Sequence, residues 1–169
     1  MFCFQSKQGA STDMAPHIAI EDPAQPEIVD LLRDGEEHSA KLYPAESNHH
    51  LPVDALRSSN VRFFVARDRS GRAVGTGALV LFGPWAELKR MWVVPDARGR
   101  GVSKAILVAL EAEARSEHVT ILKLETGVEN LAALGLYTLA GFRLRGPFGD
   151  YRADPLSVFM EKRLSEHLG

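Results

Sequence analysis

Residues 98–104 read Arg98-Gly99-Arg100-Gly101-Val102-Ser103-Lys104. A strand-patterned run, Ala86 to Val94, leads into this stretch, and a helix-patterned run, Val102 to Glu117, leads out of it. Strand, glycine-rich turn and helix together form an anion cradle. The first N–H groups of a helix have no carbonyl partner inside it and point outward as donors. Glycine lets the main chain come close to an oxyanion, and two arginines and a lysine add positive charge. The segment therefore predicts a site for a phosphorylated ligand.

Working outward, the downstream chain alternates helix and strand. Val119 to Glu125 has a strand pattern, and Asn130 to Ala140 a helical one, ended by Gly141 where a left-handed cap fits. Phe142 to Arg145 and Leu156 to Arg163 are two last strands, separated by an aromatic loop, Gly146 to Tyr151. Upstream, Val61 to Arg67 and Ala73 to Phe82 form a hairpin about Asp68-Arg69-Ser70-Gly71, and Gly83-Pro84 turns into the run that precedes the cradle. His17 to Glu21 is a first strand. Pro26 opens a helix towards Leu42, Tyr43 to Pro52 is a polar loop, and Val53 to Arg57 is a short helix. Hairpins followed by helix crossovers predict a mixed sheet in one α/β domain.

Composition narrows the function. The chain has 169 residues, enough for one sizeable core, and a net charge of −2, so no global field draws it to nucleic acid or an anionic membrane. Its anion site must be local. A single cysteine, Cys3, leaves no internal disulfide or cysteine-based metal cage. No apolar run reaches the roughly 20 residues that span a bilayer. Residues 1–15 read as a disordered tail, with Met14 as a second start, and residues 16–169 as the domain. The tail lacks a secretory pattern, so a cytoplasmic location is expected.

Two signatures carry a family resemblance. Glu87-Leu88-Lys89-Arg90-Met91-Trp92-Val93-Val94-Pro95, followed by Arg98 to Ser103, resembles the acetyl-CoA-binding motif of the GNAT family of N-acetyltransferases. Arg98 and Gly101 match that motif, and Ser103 replaces its last small residue. Asn130-Leu131-Ala132-Ala133-Leu134-Gly135-Leu136-Tyr137, then Gly141-Phe142, resembles the family's second signature. The resemblance spans His17 to Leu164. It implies a mixed, mostly antiparallel sheet of about seven strands with about four helices, splayed at the coenzyme site. It also implies acetyl-CoA as co-substrate and an amine of a small molecule or peptide as acceptor, with no metal.

The resemblance assigns roles residue by residue. Main-chain groups of Gly99, Arg100, Gly101, Val102 and Ser103 surround the diphosphate, with Arg98, Arg100 and Lys104 beside it. The pantetheine arm pairs with main chain at Met91 and Val93. Tyr137 is the acid that protonates the leaving sulfur, and Glu87 is the candidate base. A base is needed because a lysine-like amine, pKa about 10.4, lies roughly 4–5 kcal/mol from its neutral form at pH 7. Asn130 either holds the coenzyme or caps its helix. On the acceptor side the resemblance points to Tyr43, Ser47, His49, His50, Phe148 and Tyr151, with Arg90 favouring an acceptor that bears a carboxylate. His49-His50 reads equally as an exposed loop pair, and adjacent histidines make a poor metal site.

Other readings fare worse. Gly99-Arg100-Gly101 opens like a dinucleotide fingerprint, but Lys104 stands at the third glycine. The pattern of a nucleotide-hydrolysing P-loop is broken around Lys104, and no G-x-S-x-G occurs. A coenzyme-binding sensor without chemistry stays open, and Tyr137 speaks against it. The last strands offer an edge for a homodimer.

Overall fold

The computed structural model describes residues 15–165. The expected tail, apart from Ala15, lies outside that span, as does Cys3. The strands are β1 (His17–Ile20), β2 (Val61–Arg67), β3 (Ala73–Phe82), β4 (Trp85–Val93), β5 (Ile121–Gly127), β6 (Arg143–Arg145) and β7 (Ser157–Arg163). The helices are α1 (Pro26–Leu42), α2 (Val53–Leu56), α3 (Val102–Ser116) and α4 (Leu131–Leu139). One seven-stranded sheet has the order β1-β2-β3-β4-β5-β7-β6. Only β4 and β5 run parallel, because α3 carries the chain back across the sheet between them.

Each face of the sheet has its own core. On one face α3 buries Ile106 and Leu110 against Leu79, Ala86, Leu88 and Leu122. Glycines on β3 let α3 approach this closely: a Cβ on Gly77 would lie 2.6 Å from Ile106 Cγ2. On the other face Ile28 and Leu32 of α1 and Leu56 of α2 pack on Phe63, Val65 and Ala78. Their spacing along α1 is that of one helical stripe.

Strand β5 runs from Ile121 to Gly127, not from Val119 to Glu125. His118, at φ 61, closes α3, and Val119 N–H donates to the Ala114 carbonyl, so the first two expected residues end the helix. At the far end β7 keeps pairing as far as Gly127 with Ser157. Glu125 therefore stands inside a strand.

Two features of β4 open the sheet. Across from Thr76 to Ala78, β4 spans Trp92 to Lys89, one residue more, which is a β-bulge. Arg90 takes the strain at φ 57, and its carbonyl accepts from Thr76 Oγ1 at 2.7 Å. Parallel pairing with β5 stops at Leu88 with Leu124. Beyond it the strands part, which leaves a V-shaped gap at Lys89–Val93 and Glu125–Gly127.

Candidate active site

The cradle begins with backbone geometry. Gly99 and Gly101 have φ 77 and 78, the left-handed region that side chains avoid. A Cβ on either would meet nothing within 4 Å, so the chain leaves the space above both open. Gly101 is the N-cap of α3 and offers no capping side chain. The first intrahelical bond runs from Ala105 N–H to the Gly101 carbonyl, so the N–H groups of Val102, Ser103 and Lys104 have no helical carbonyl to bond. Arg100 and Lys104 are exposed beside them. Val102 contributes main chain alone, since its side chain is buried against α3's core. Arg98 is held back against the strand: its Nε donates to the Val93 carbonyl at 3.1 Å, and its guanidinium lies 4.9 Å from the Trp92 ring. Val93 thus keeps one carbonyl lone pair for a further donor.

From the cradle a groove of about 490 Å³ follows the gap between α3 and α4, lined by Met91, Val93, Asn130 and Tyr137 among others. The residues of the first and second signatures thus meet in one groove. Asn130 caps α4, its Oδ1 accepting from Ala133 N–H at 3.2 Å, while also facing the groove. Tyr137 is only 5% exposed and packs edge-on against Phe142, and burial pushes its phenol pKa well up. The resting phenol is therefore protonated at neutral pH.

Across the sheet lies a second cleft of about 850 Å³, bounded by the loops 46–51 and 148–155 and by Phe82 and Trp85. The two clefts share His49, His50, Glu87 and Lys89, so they meet where β4 leaves β5. Trp85, Glu87 and Lys89 alternate onto one face of β4. Glu87 is buried, and its Oε1 accepts from the Tyr151 hydroxyl at 2.5 Å. Lys89 Nζ donates to the same hydroxyl at 2.5 Å and to the His49 carbonyl at 3.0 Å, and stands 3.3 Å from Glu87. Burial and the Glu87 charge push the Tyr151 phenol far up, which keeps it a donor to Glu87. The expected base is thus bound into a three-residue network.

A second carboxylate belongs to neither family signature. Glu125 lines the groove at the point of splay, and no described residue forms an ion pair with it within 4.0 Å. Burial pushes its carboxyl above the ordinary glutamate value, against the opposing pull of the Ser157 hydroxyl, His49 and Lys89. Burial and the Arg90 cation hold the neighbouring His50 imidazole below its usual value, so it is neutral at pH 7.

The remaining expected acceptor residues serve to build the walls. Ser47 Oγ donates to Asp154 Oδ2 at 2.6 Å and ties the two loops together. His49 sits edge-on to Tyr151, and Phe148 is buried among Trp85, Tyr151 and Phe159. Arg90 is withdrawn from the cleft: its side chain is 4% exposed and its Nη2 bonds Glu36 at 2.6 Å, while its buried Nε has no partner among the described residues. Tyr43 latches α1 to the turn before α4, its hydroxyl accepting from Glu129 N–H at 2.9 Å. The hydroxyl end of its ring sits against Gly127, where any Cβ would collide with it. Gly127→Ala is expected to cost about 2 kcal/mol. Tyr43→Ala in that background should recover part of the loss, a coupling that a double-mutant cycle of thermal unfolding measures.

Residues 26–142 match the acetyltransferase (GNAT) family. The chain belongs to this family. An IAA acetyltransferase of Azospirillum brasilense is 46% identical over 149 residues, 87% of this chain and 97% of that protein. The uncharacterized N-acetyltransferase YsnE of Bacillus subtilis is 34% identical over 151 residues, 88% of this chain and 99% of its own length. A solved Klebsiella pneumoniae protein assigned to the acyl-CoA N-acyltransferases superposes with a TM-score of 0.76 at 36% identity, covering 89% of this chain and 98% of that one. This GNAT protein is accordingly an acyltransferase, with the mixed and mostly antiparallel seven-stranded sheet of its structural neighbours. Among the described residues no helix is long and apolar enough to cross a membrane.

Proposed function

We propose that the protein moves an acetyl group from acetyl-CoA to a primary amine of a small molecule or peptide, by direct attack with both substrates bound. The observation that carries this reading is the meeting of the two clefts: a groove that starts at an anion cradle opens, through the gap between β4 and β5, into a separate cleft. Acetyl-CoA supplies an activated thioester. The N–H groups of Val102, Ser103 and Lys104, with Arg98 and Arg100, hold its diphosphate, and main chain at Met91 and Val93 receives its amide-rich arm. Asn130 borders the same arm while capping α4.

The chain's own residues then handle two protons. Glu125 takes a proton from the bound ammonium group, and the lone pair this frees forms the new C–N bond to the thioester carbonyl carbon. The C–S bond breaks, and Tyr137 gives its proton to the departing sulfur. Glu87, the base that the family pattern suggests, instead fixes Tyr151 and Lys89 at the acceptor's entry. Glu125 is the better base because burial raises its basicity and no described cation pairs with it.

Release of free thiol from acetyl-CoA in the presence of an amine panel tests the whole reading; steady thiol release with no amine acetylated would refute it. Tyr137→Phe is expected to lower kcat about 10²-fold, the lower end of acid catalysis, with coenzyme affinity unchanged. Normal turnover in that variant would remove the acid role. The sensor reading predicts coenzyme binding with no amine ever modified, a result the same panel reads directly.

A further inference from the structure

On β7, Ser157 sits beside the proposed base. In the antiparallel register of β5 and β7, Glu125 stands opposite Phe159, and Gly127 stands opposite Ser157. Side chains on a strand alternate between faces, so Glu125 and Ser157 share one face. They are diagonal neighbours across the two strands, a separation that a side chain as long as glutamate can bridge. Gly127 puts no side chain of its own between them. The space it leaves is filled by the hydroxyl end of the Tyr43 ring.

Ser157 Oγ is shut off from water and has no hydrogen-bond partner among the described residues. A buried hydroxyl left in that state is costly, and such a group normally finds an acceptor. The alternatives nearby are taken. The Tyr43 hydroxyl already accepts from Glu129 N–H. Asp154, whose carbonyl receives the Ser157 N–H, has its carboxylate engaged by Ser47 and by Leu156 N–H. The Glu125 carboxylate is an acceptor with no ion pair among the described residues, and rotation about the Cα–Cβ bond of Ser157 turns the hydroxyl towards it.

Such a contact matters because burial works against this base. Burial raises the Glu125 carboxyl, and the Ser157 hydroxyl is the foremost of the groups that pull it back, ahead of His49 and Lys89. Glu87 and Tyr151 also face this carboxyl, and they are bonded to each other.

We infer that Ser157 is a positioning residue for Glu125: its hydroxyl holds one carboxylate oxygen and leaves the other facing the gap between β4 and β5. The catalytic meaning of this contact rests on the reading of Glu125 as base, and the test separates the two. Carbon NMR of the protein loaded with coenzyme A, labelled in its glutamate carboxyls, follows the Glu125 titration directly; Glu125→Gln identifies the signal by removing it. The pH profile of kcat/KM for propylamine and acetyl-CoA reads the same group in turnover. In Ser157→Ala the Glu125 carboxyl should titrate at a higher pH than in wild type. On the acid side of the profile kcat/KM should fall about 10-fold, the low end for a hydrogen bond to a charged group, and on the plateau it should stay near wild type. Ser157→Thr keeps the hydroxyl on a side chain suited to a strand and should restore both readings. A serine that served packing alone would lower activity equally at every pH.

An unchanged Glu125 titration in Ser157→Ala would overturn the inference, as would a titration that moves equally in the Ala and Thr variants. If the carboxyl signal moves in Ser157→Ala alone while the acid limb stays in place, Ser157 holds Glu125 and the assignment of the base falls. If propylamine is not acetylated, the carboxyl titration decides the contact by itself: movement confined to Ser157→Ala upholds it, and no movement overturns it.

Discussion

Glu125→Gln is expected to lower kcat about 10³-fold, within the range supplied by general base catalysis, while leaving coenzyme affinity near wild type. Glutamine keeps the shape and the hydrogen-bonding oxygen but cannot take a proton. The pH profile gives a second, sharper reading. Burial raises the Glu125 pKa, so the carboxylate accepts a proton only above a pH higher than that of an ordinary glutamate. The acid limb of kcat/KM should therefore lie above the usual carboxylate range, and it should vanish in the variant.

Stability should move the opposite way. A carboxyl whose folded pKa exceeds its unfolded value favours the native state while protonated, and that advantage is lost as pH rises from the unfolded value through the raised native one. Above that window the ionised, half-buried Glu125 is a burden, so Glu125→Gln should unfold at a higher temperature than wild type at pH 8 and lose this advantage at pH 4. Slower turnover joined to higher stability marks a functional carboxylate held at a cost to the fold. If Glu87→Gln alone abolished the acid limb and Glu125→Gln left it intact, the base would be Glu87.

Gly101→Val should weaken coenzyme A binding about 10³-fold. The residue sits at φ 78, where a β-branched side chain costs about 2 kcal/mol or drives the turn into another conformation. No protein atom lies within 4 Å of the position a Cβ would occupy, so the chain itself has room for the side chain and core packing is unaffected. What suffers is the aim of the N–H groups at 102–104 and the open space above them. Loss of one or two charge-assisted hydrogen bonds, each about 1.5–3 kcal/mol, accounts for the rest of the drop. Calorimetric titration with coenzyme A reads the affinity, and circular dichroism checks that the fold persists. A folded Gly101→Val protein that binds coenzyme A like wild type would show that the turn is not the diphosphate site.

Much of this was legible along the chain because it is local. Pro26 at the start of α1, the turn at Asp68-Gly71 and the periodicities of β2 and β3 depend on residues within a few positions of one another, and their bounds agree with the structure. The cradle is local too: a helix start preceded by glycines is written in seven consecutive residues. The position of β5 was less legible. Val119 and Thr120 suit a strand by type, and only the closing turn at His118 and the pairing with β7 shift the strand two residues onward.

Sequence by itself determined the family, through its resemblance to two motifs, and the order of the elements, through side-chain periodicity; the glycines before α3 carry a backbone freedom that is a property of the residue. Tertiary structure alone decided that Glu87 is tied to Lys89 and Tyr151 while Glu125 has no ion pair among the described residues. Tyr151 reaches Glu87 across 64 positions, and Ser47 reaches Asp154 across 107. It also decided that Arg90 is spent on Glu36 at a bulge that no residue type announces. Burial and pairing, which set a group's protonation, are sums over neighbours that meet only when the sheet closes, and linear spacing carries no record of them.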